Sequence, residues 1–290
     1  MGCAGRALVR SVVTAVVVTA VAGTMGCGTD GDDEAVIAPP SAAVAAGVRV
    51  PPARAIADYQ LGGAYPPPAG VEVVARDSTA QPAPGLYNIC YINGFQTQPA
   101  ERDRWLAERR DLVLADASGS PLVDPDWPDE LILDTSTETK RRRLADILSP
   151  IIRQCRDAGF HAVEFDNLDS YSRSHGQLTP ETNLGLAALL VEAAHEAQLA
   201  AGQKNAAELS ARAKARAGFD FAVTEECFQF KECDGYRNVY GDLVIDIEYP
   251  DNLGTPFDRV CTDPARAATT ILRDRKLVPG GTPGHLYRHC

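Results

Sequence analysis

Residues 161–171, HAVEFDNLDSY, carry three carboxylates and an amide behind a short apolar lead. In an extended strand Ala162, Glu164 and Asp166 share one face, and His161, Val163 and Phe165 share the other. The bulky apolar face suits packing against helices. The acidic face then points inward, with Asp166 at the strand's C-terminal end and Glu164 a layer below. Such a strand fits a (β/α)8 barrel, where reactive groups gather at the C-terminal ends of the strands. A calcium loop is the competing reading of DNLDS, because oxygen ligands at short spacing suit that ion. The stretch lacks the EF-hand pattern and its glycine, so no metal and no cofactor is expected.

Strand-like and helix-like stretches alternate on both sides. VEVVA (71–75), LYNICYI (86–92) and LILD (131–134) read as the first three strands. Residues 138–157 read as a helix with Leu144, Ile147, Ile151 and Cys155 on one stripe, kinked or split at Pro150 and ended by Gly159. After the fourth strand, 178–197 reads as a helix with Thr179 as N-cap and Pro180 in its first turn. AGQKN (201–205) is a fifth strand, and 206–218 a helix ending at Gly218. FDFAVTE (219–225), DLVIDIEY (242–249) and a weak RKLVPG (275–280) complete eight. Repeated alternation predicts a parallel sheet, and the count near eight predicts a closed barrel. No GxGxxG follows the first strand, so a dinucleotide fold lacks its signature. The absence of GxSxG argues against a serine nucleophile elbow.

The N-terminus reads differently. Arg6 and Arg10 precede an apolar run, Ser11 to Ala22, then small residues and Cys27. This is the pattern of an export signal, residues 1–27, with Cys27 placed as the lipidated cysteine of a lipobox. Residues 28–50, acidic and then Ala/Pro-rich, read as a disordered tether. The barrel domain is assigned to 51–290. Six cysteines remain in it, an even number that suits pairing outside the cytosol. Of fifteen possible connectivities, sequence proximity favours Cys227 with Cys233 and Cys261 with Cys290, leaving Cys90 with Cys155. The expected location is the outer face of the cell membrane, held by the lipid anchor, with the domain a monomer.

The formal net charge of −11 becomes two units more negative once Arg6 and Arg10 are removed. That balance argues against a nucleic-acid partner, whose phosphates need Lys and Arg, and admits a cationic one. Three strands end in acids: EFDN, VTEE and DIEY. On the last, Val244, Asp246 and Glu248 share a face, with Glu248 nearest the mouth. On VTEE the alternation leaves open whether Glu225 or Glu226 faces inward. Converging buried carboxylates are costly unless chemistry uses them. Glycoside hydrolysis does: it takes two carboxyl groups flanking the scissile bond. Lys204 and Asn205 follow strand five, between the two acidic strands. Tyr59, Tyr91, Tyr171 and Tyr249 can stack on sugar rings.

Taken together, YNICYINGFQ, GFHAVEFDNLDSY, GQKNA, FDFAVTEECFQFKECD and VIDIEY resemble glycoside hydrolase family 114, the endo-α-1,4-polygalactosaminidase-like domain. The likeness runs in order from about Tyr59 to Cys290. It implies a (β/α)8 barrel that hydrolyses galactosamine-containing polysaccharide, with Asp166 and Glu225 as the catalytic pair. By similarity Asp166 is the nucleophile and Glu225 the acid/base, with the reverse open. Glu164, Asn167, Asp169, Lys204, Asn205 and Glu248 are expected to line the site. Thr224, Glu226 and Ala206 depart from the family's usual residues, as does the opening DYQLGGAY. A catalytically inactive surface barrel that binds glycan is the alternative reading, and a calcium-stabilised adhesive domain a third.

Overall fold

The computed structural model describes residues 47–290. The expected signal, Cys27 and most of the tether lie outside the described residues. Eight parallel strands follow one another around a barrel in chain order. They are β1 (Ala57–Gln60), β2 (Val73–Asp77), β3 (Tyr87–Asn93), β4 (Ala162–Asp166), β5 (Ala200–Lys204), β6 (Phe221–Glu225), β7 (Val244–Glu248) and β8 (Thr269–Arg273). A short β9 (Tyr287–His289) runs antiparallel to β8. The helices are α1 (Arg102–Glu108), α2 (Glu138–Ala158), α3 (Pro180–Glu196), α4 (Ser210–Arg212), α5 (Cys227–Phe230), α6 (Cys233–Tyr240) and α7 (Phe257–Thr262). Among the described residues no helix is long and apolar enough to cross a membrane.

The pleat sorts the side chains into two cores. Tyr59, Val73, Ala75, Ile89, Ala162, Ala200, Phe221, Val223, Ile245, Ile247 and Ile271 fill the inside of the barrel. Val163, Phe165, Ala201, Ala222 and Val244 pack outward against the helical layer. Gly202 leaves room inside for Phe221: a Cβ there would lie 2.6 Å from the Phe221 ring.

Two of the expected strands are misplaced. Residues 131–134 are no stave. They form isolated antiparallel bridges with Gln96, Val113 and Val123 inside the long excursion between β3 and α2. Leu131, Ile132 and Leu133 are fully buried there, which explains why a four-residue apolar run imitates a barrel strand. Residues 275–280 form a loop, and the eighth strand is instead the TTILR segment before it. The true first strand, ADYQ, alternates small and aromatic residues with polar ones. Its Asp58 and Gln60 are buried because Arg273 and Arg76 bind them, at 2.9 and 3.0 Å. The missed and the spurious strand cancel, so HAVEFD remains the fourth.

Helix α2 is continuous for 21 residues despite Pro150. Its buried stripe, Leu144, Leu148, Ile152 and Cys155, holds it on the sheet, so the hydrogen bond that Pro150 removes does not divide it. Thr179 caps α3 as expected, with a capping box to Thr182 and Pro180 in the first turn.

The seam between β1 and β8 is closed by side chains. Thr269 Oγ1 donates to the Ala55 carbonyl at 2.9 Å, Arg273 to the Tyr59 carbonyl, and Tyr287 Oη to the Ala57 carbonyl at 2.9 Å. Three disulfides join Cys90 to Cys155, Cys227 to Cys233 and Cys261 to Cys290, the pairing expected from sequence. The end of the segment assigned to the tether is ordered: Val48 and Val50 pack against the interior core, and Tyr87 Oη donates to the Arg49 carbonyl at 2.6 Å.

Candidate active site

Inside the barrel at its C-terminal end, β4, β5 and β6 bring four charged groups together. The Lys204 ammonium, on β5, is 2% exposed and lies between its neighbours. It is 3.3 Å from Glu164 Oε1, 3.4 Å from Asp166 Oδ1 and 3.4 Å from Glu225 Oε2. Asp166 and Glu225, on staves either side, thus reach the same ammonium and are close enough to address one bond. Their side chains keep 17% and 31% of their surface open to solvent, whereas Glu164 has none.

Each carboxylate has its own hydrogen-bond set. Tyr91 Oη donates to Asp166 Oδ2 at 2.7 Å, and the Asn167 N–H to Asp166 Oδ1 at 2.8 Å. Tyr249 Oη donates to Glu225 Oε1 at 2.5 Å and Asn205 Nδ2 to Oε2 at 3.1 Å. Asn205 Oδ1 accepts the Glu225 N–H at 2.8 Å, which fixes the turn of the chain after β5 against β6. Tyr59 Oη donates to Glu164 Oε1 at 2.6 Å and lies 3.1 Å from Lys204 Nζ.

These contacts decide the charge states. Burial disfavours the Lys204 ammonium, but Asp166, Glu225, Tyr59 and Glu164 overcome it and hold its pKa well above the ordinary value. Burial also works against ionised Glu225. The Lys204 charge and the bonds from Tyr249 and Asn205 outweigh it, so Glu225 titrates below the usual glutamate range. Glu164 is the opposite case: full burial pushes it up to about 7, only partly offset by Lys204 and Tyr59. Burial raises Tyr59, Tyr91 and Tyr249, which stay neutral donors.

The open question on β6 is resolved by side-chain direction. Glu225 points in with Phe221 and Val223, while Glu226, with a left-handed φ of 62°, is held off the carboxylate cluster by its pair with Arg275 at 2.9 Å. Not every expected residue joins the cluster. Asn167 sits one remove away, donating to Asn93 Oδ1 at 2.9 Å and accepting from Arg173 at 3.0 Å. Asp169 pairs with Arg173 at 3.0 Å, and Tyr171 donates to Glu208. Glu248 does not line the cavity. Ile245, Ile247 and Tyr249 take the inward positions of β7, so Glu248 faces outward and accepts the N–H groups of Phe228 and Gln229 at 2.9 and 3.3 Å. The expected alternation of β7 holds, with its two faces exchanged.

Two groups near the mouth went unread. Asn93 Nδ2, at the end of β3, donates to Glu130 Oε2 at 2.8 Å. Burial pushes Glu130 up to about 7, despite the hydrogen bond from Asn93. On the same turn, Trp127 is 60% exposed. The signal was the acidic DPDWPDE segment, 124–130, within a long β–α excursion of the type that carries binding residues.

A (β/α)8 barrel whose mouth holds paired carboxylates on separate staves is a framework of glycoside hydrolases. The chain belongs to glycoside-hydrolase family GH114, which its sequence matches over residues 38–290. Comparison with curated proteins gave no match. Among solved structures, Ega3 from Aspergillus fumigatus, in complex with galactosamine, is 22% identical with a TM-score of 0.67, over 84% of this chain and 98% of that one. The glycoside hydrolase domain of PelA from Pseudomonas aeruginosa is 15% identical with a TM-score of 0.53, over 78% and 97%. At these identities the two share the fold with this chain.

Proposed function

We propose that this glycoside hydrolase cleaves α-linked galactosamine-containing polysaccharide outside the cell, with Asp166 as nucleophile and Glu225 as acid/base. The observation that carries the reading is the shared ammonium: Lys204 stands 3.4 Å from both carboxylates. Family membership and the galactosamine complex of Ega3 support the substrate class. A partly deacetylated galactosamine polymer is cationic, and the mouth gathers Glu130, Asp166 and Glu225 to meet it.

In this mechanism Asp166 attacks the anomeric carbon while Glu225 protonates the leaving oxygen, then deprotonates the water that releases the sugar. Glu225 is ionised in the free site, because Lys204 touches it. A bound sugar that parts the two groups lets Glu225 take up the proton it delivers. Glu164 lies beneath, where it holds Tyr59 and Lys204 in place. Of the residues that depart from the family pattern, Thr224 bonds Asp246 behind the barrel wall and Glu226 is tied to Arg275, so the pair is left intact, which favours turnover over glycan binding alone.

The test is release of reducing ends from a partly deacetylated α-1,4-galactosamine polymer. Asp166→Asn and Glu225→Gln should each lower kcat by at least about 10³-fold. Release by Asp166→Asn equal to that of the wild type discards the assignment. We propose that Cys27 anchors the enzyme to the outer face of the cell membrane. The three disulfides fit an oxidising compartment. Mass spectrometry of the N-terminal peptide from membranes reads the anchor directly.

A further inference from the structure

We infer that Asp246 and Glu248, on the outer face of β7, form a carboxyl pair sharing one proton, and that this pair positions the turn carrying Glu225. Neither residue touches the cavity. Asp246 Oδ1 accepts from Thr224 Oγ1 at 2.9 Å and from the Cys227 N–H at 3.1 Å. Glu248 Oε1 accepts from the N–H groups of Phe228 and Gln229, at 2.9 and 3.3 Å. The pair thus grips the chain on both sides of Glu225 and ties down the first turn of α5. The grip has work to do there, since Glu226 holds a left-handed φ of 62°, unusual for a residue with a side chain.

The other two oxygens, Asp246 Oδ2 and Glu248 Oε2, are buried without a partner, and the two residues lie two apart on one face of β7, bound to the consecutive N–H groups of Cys227 and Phe228. Two facing carboxylate oxygens are both acceptors, so a bond between them requires one shared proton. With that proton all four oxygens are satisfied. Without it, two anions face each other in a buried site with no cation to offset them. The other ionisable groups around the pair are Glu226, which is tied to Arg275, and the Tyr236 phenol of α6. The adjacent cysteines, Cys227 and Cys233, are joined as a disulfide and do not titrate. Burial raises both carboxyls above their ordinary values; the Glu248 charge adds to the rise at Asp246, and the Glu226 charge adds to that at Glu248.

The activity arm of the test rests on the proposed hydrolysis, and the stability arm does not. Asp246→Asn and Glu248→Gln each replace the shared proton by a fixed amide N–H, with the remaining carboxylate as acceptor. In the wild type the native state keeps a proton that the unfolded state loses above the ordinary carboxyl pKa. Stability therefore falls as pH rises through that window, and either amide variant should flatten the dependence of the unfolding constant by about tenfold per pH unit. On the galactosamine polymer, Asp246→Ala should lower kcat by about 10²-fold with KM little changed, as misplacement of a reacting group does. The amide variants should restore turnover. An unchanged pH slope of unfolding overturns the shared proton even if the polymer is not a substrate. Amide variants as slow as Asp246→Ala overturn the positioning role.

Discussion

At Glu225 the free energy of one side chain is set by three neighbours pulling against burial. Tyr249 contacts Glu225 and leaves Asp166 alone, whereas Tyr91 does the reverse. This separation makes the two roles distinguishable. Tyr249→Phe removes a hydrogen bond to the charged form, so the Glu225 pKa rises. With Glu225 as acid/base, the alkaline limb of kcat/KM moves to higher pH, because that profile reports the free enzyme. Movement of the acidic limb instead would make Glu225 the ionised partner and reverse the assignment. A pH series on purified variant and wild type reads either result. Trp127 offers a second probe at this scale. If its exposed ring stacks on a sugar, Trp127→Ala should raise KM while kcat holds, losing about 1 kcal/mol of uniform binding, or roughly fivefold.

At the scale of elements, the inside of the barrel is as closely fitted as its mouth. Gly202→Ala sets a methyl group against the Phe221 ring, two positions from Lys204 and four from Glu225. Overpacking of this kind costs about 1–3 kcal/mol, read as a lower denaturant midpoint at an unchanged slope. Strand β4 was legible in sequence because its two faces differ in chemistry, so the position of Asp166 followed from alternation alone. Strand β7 was not. Asp246 and Glu248 look like inward acids beside Ile245 and Ile247, and their outward direction depends on donors from β6 and α5 that arrive only with the tertiary fold. Strand β1 was hidden for a related reason. The polarity of Asp58 and Gln60 conceals a buried stave until Arg273 and Arg76, distant in the chain, are brought to them. The position of Lys204 and Asn205 after β5 puts them at the mouth, but that a single ammonium serves three acids depends on staves far apart in the chain.

For the molecule as a whole, a buried ion pair sits at the closing seam. Arg273 and Asp58 are fully buried, and Arg273 joins β8 to β1. Arg273→Met strips the cation and leaves the carboxylate uncompensated, which should cost about 3–5 kcal/mol, measured by chemical denaturation of the disulfide-intact protein. A loss under about 1 kcal/mol would show that water reaches Asp58 and that the seam is not sealed there. Residues 287–290 add the last pieces, Tyr287 hydrogen-bonding the Ala57 carbonyl and Cys290 bonding to Cys261. The clasp lies outside the eight staves and is covalently anchored at its far end, so losing the Cys261–Cys290 bond would free the seam to breathe.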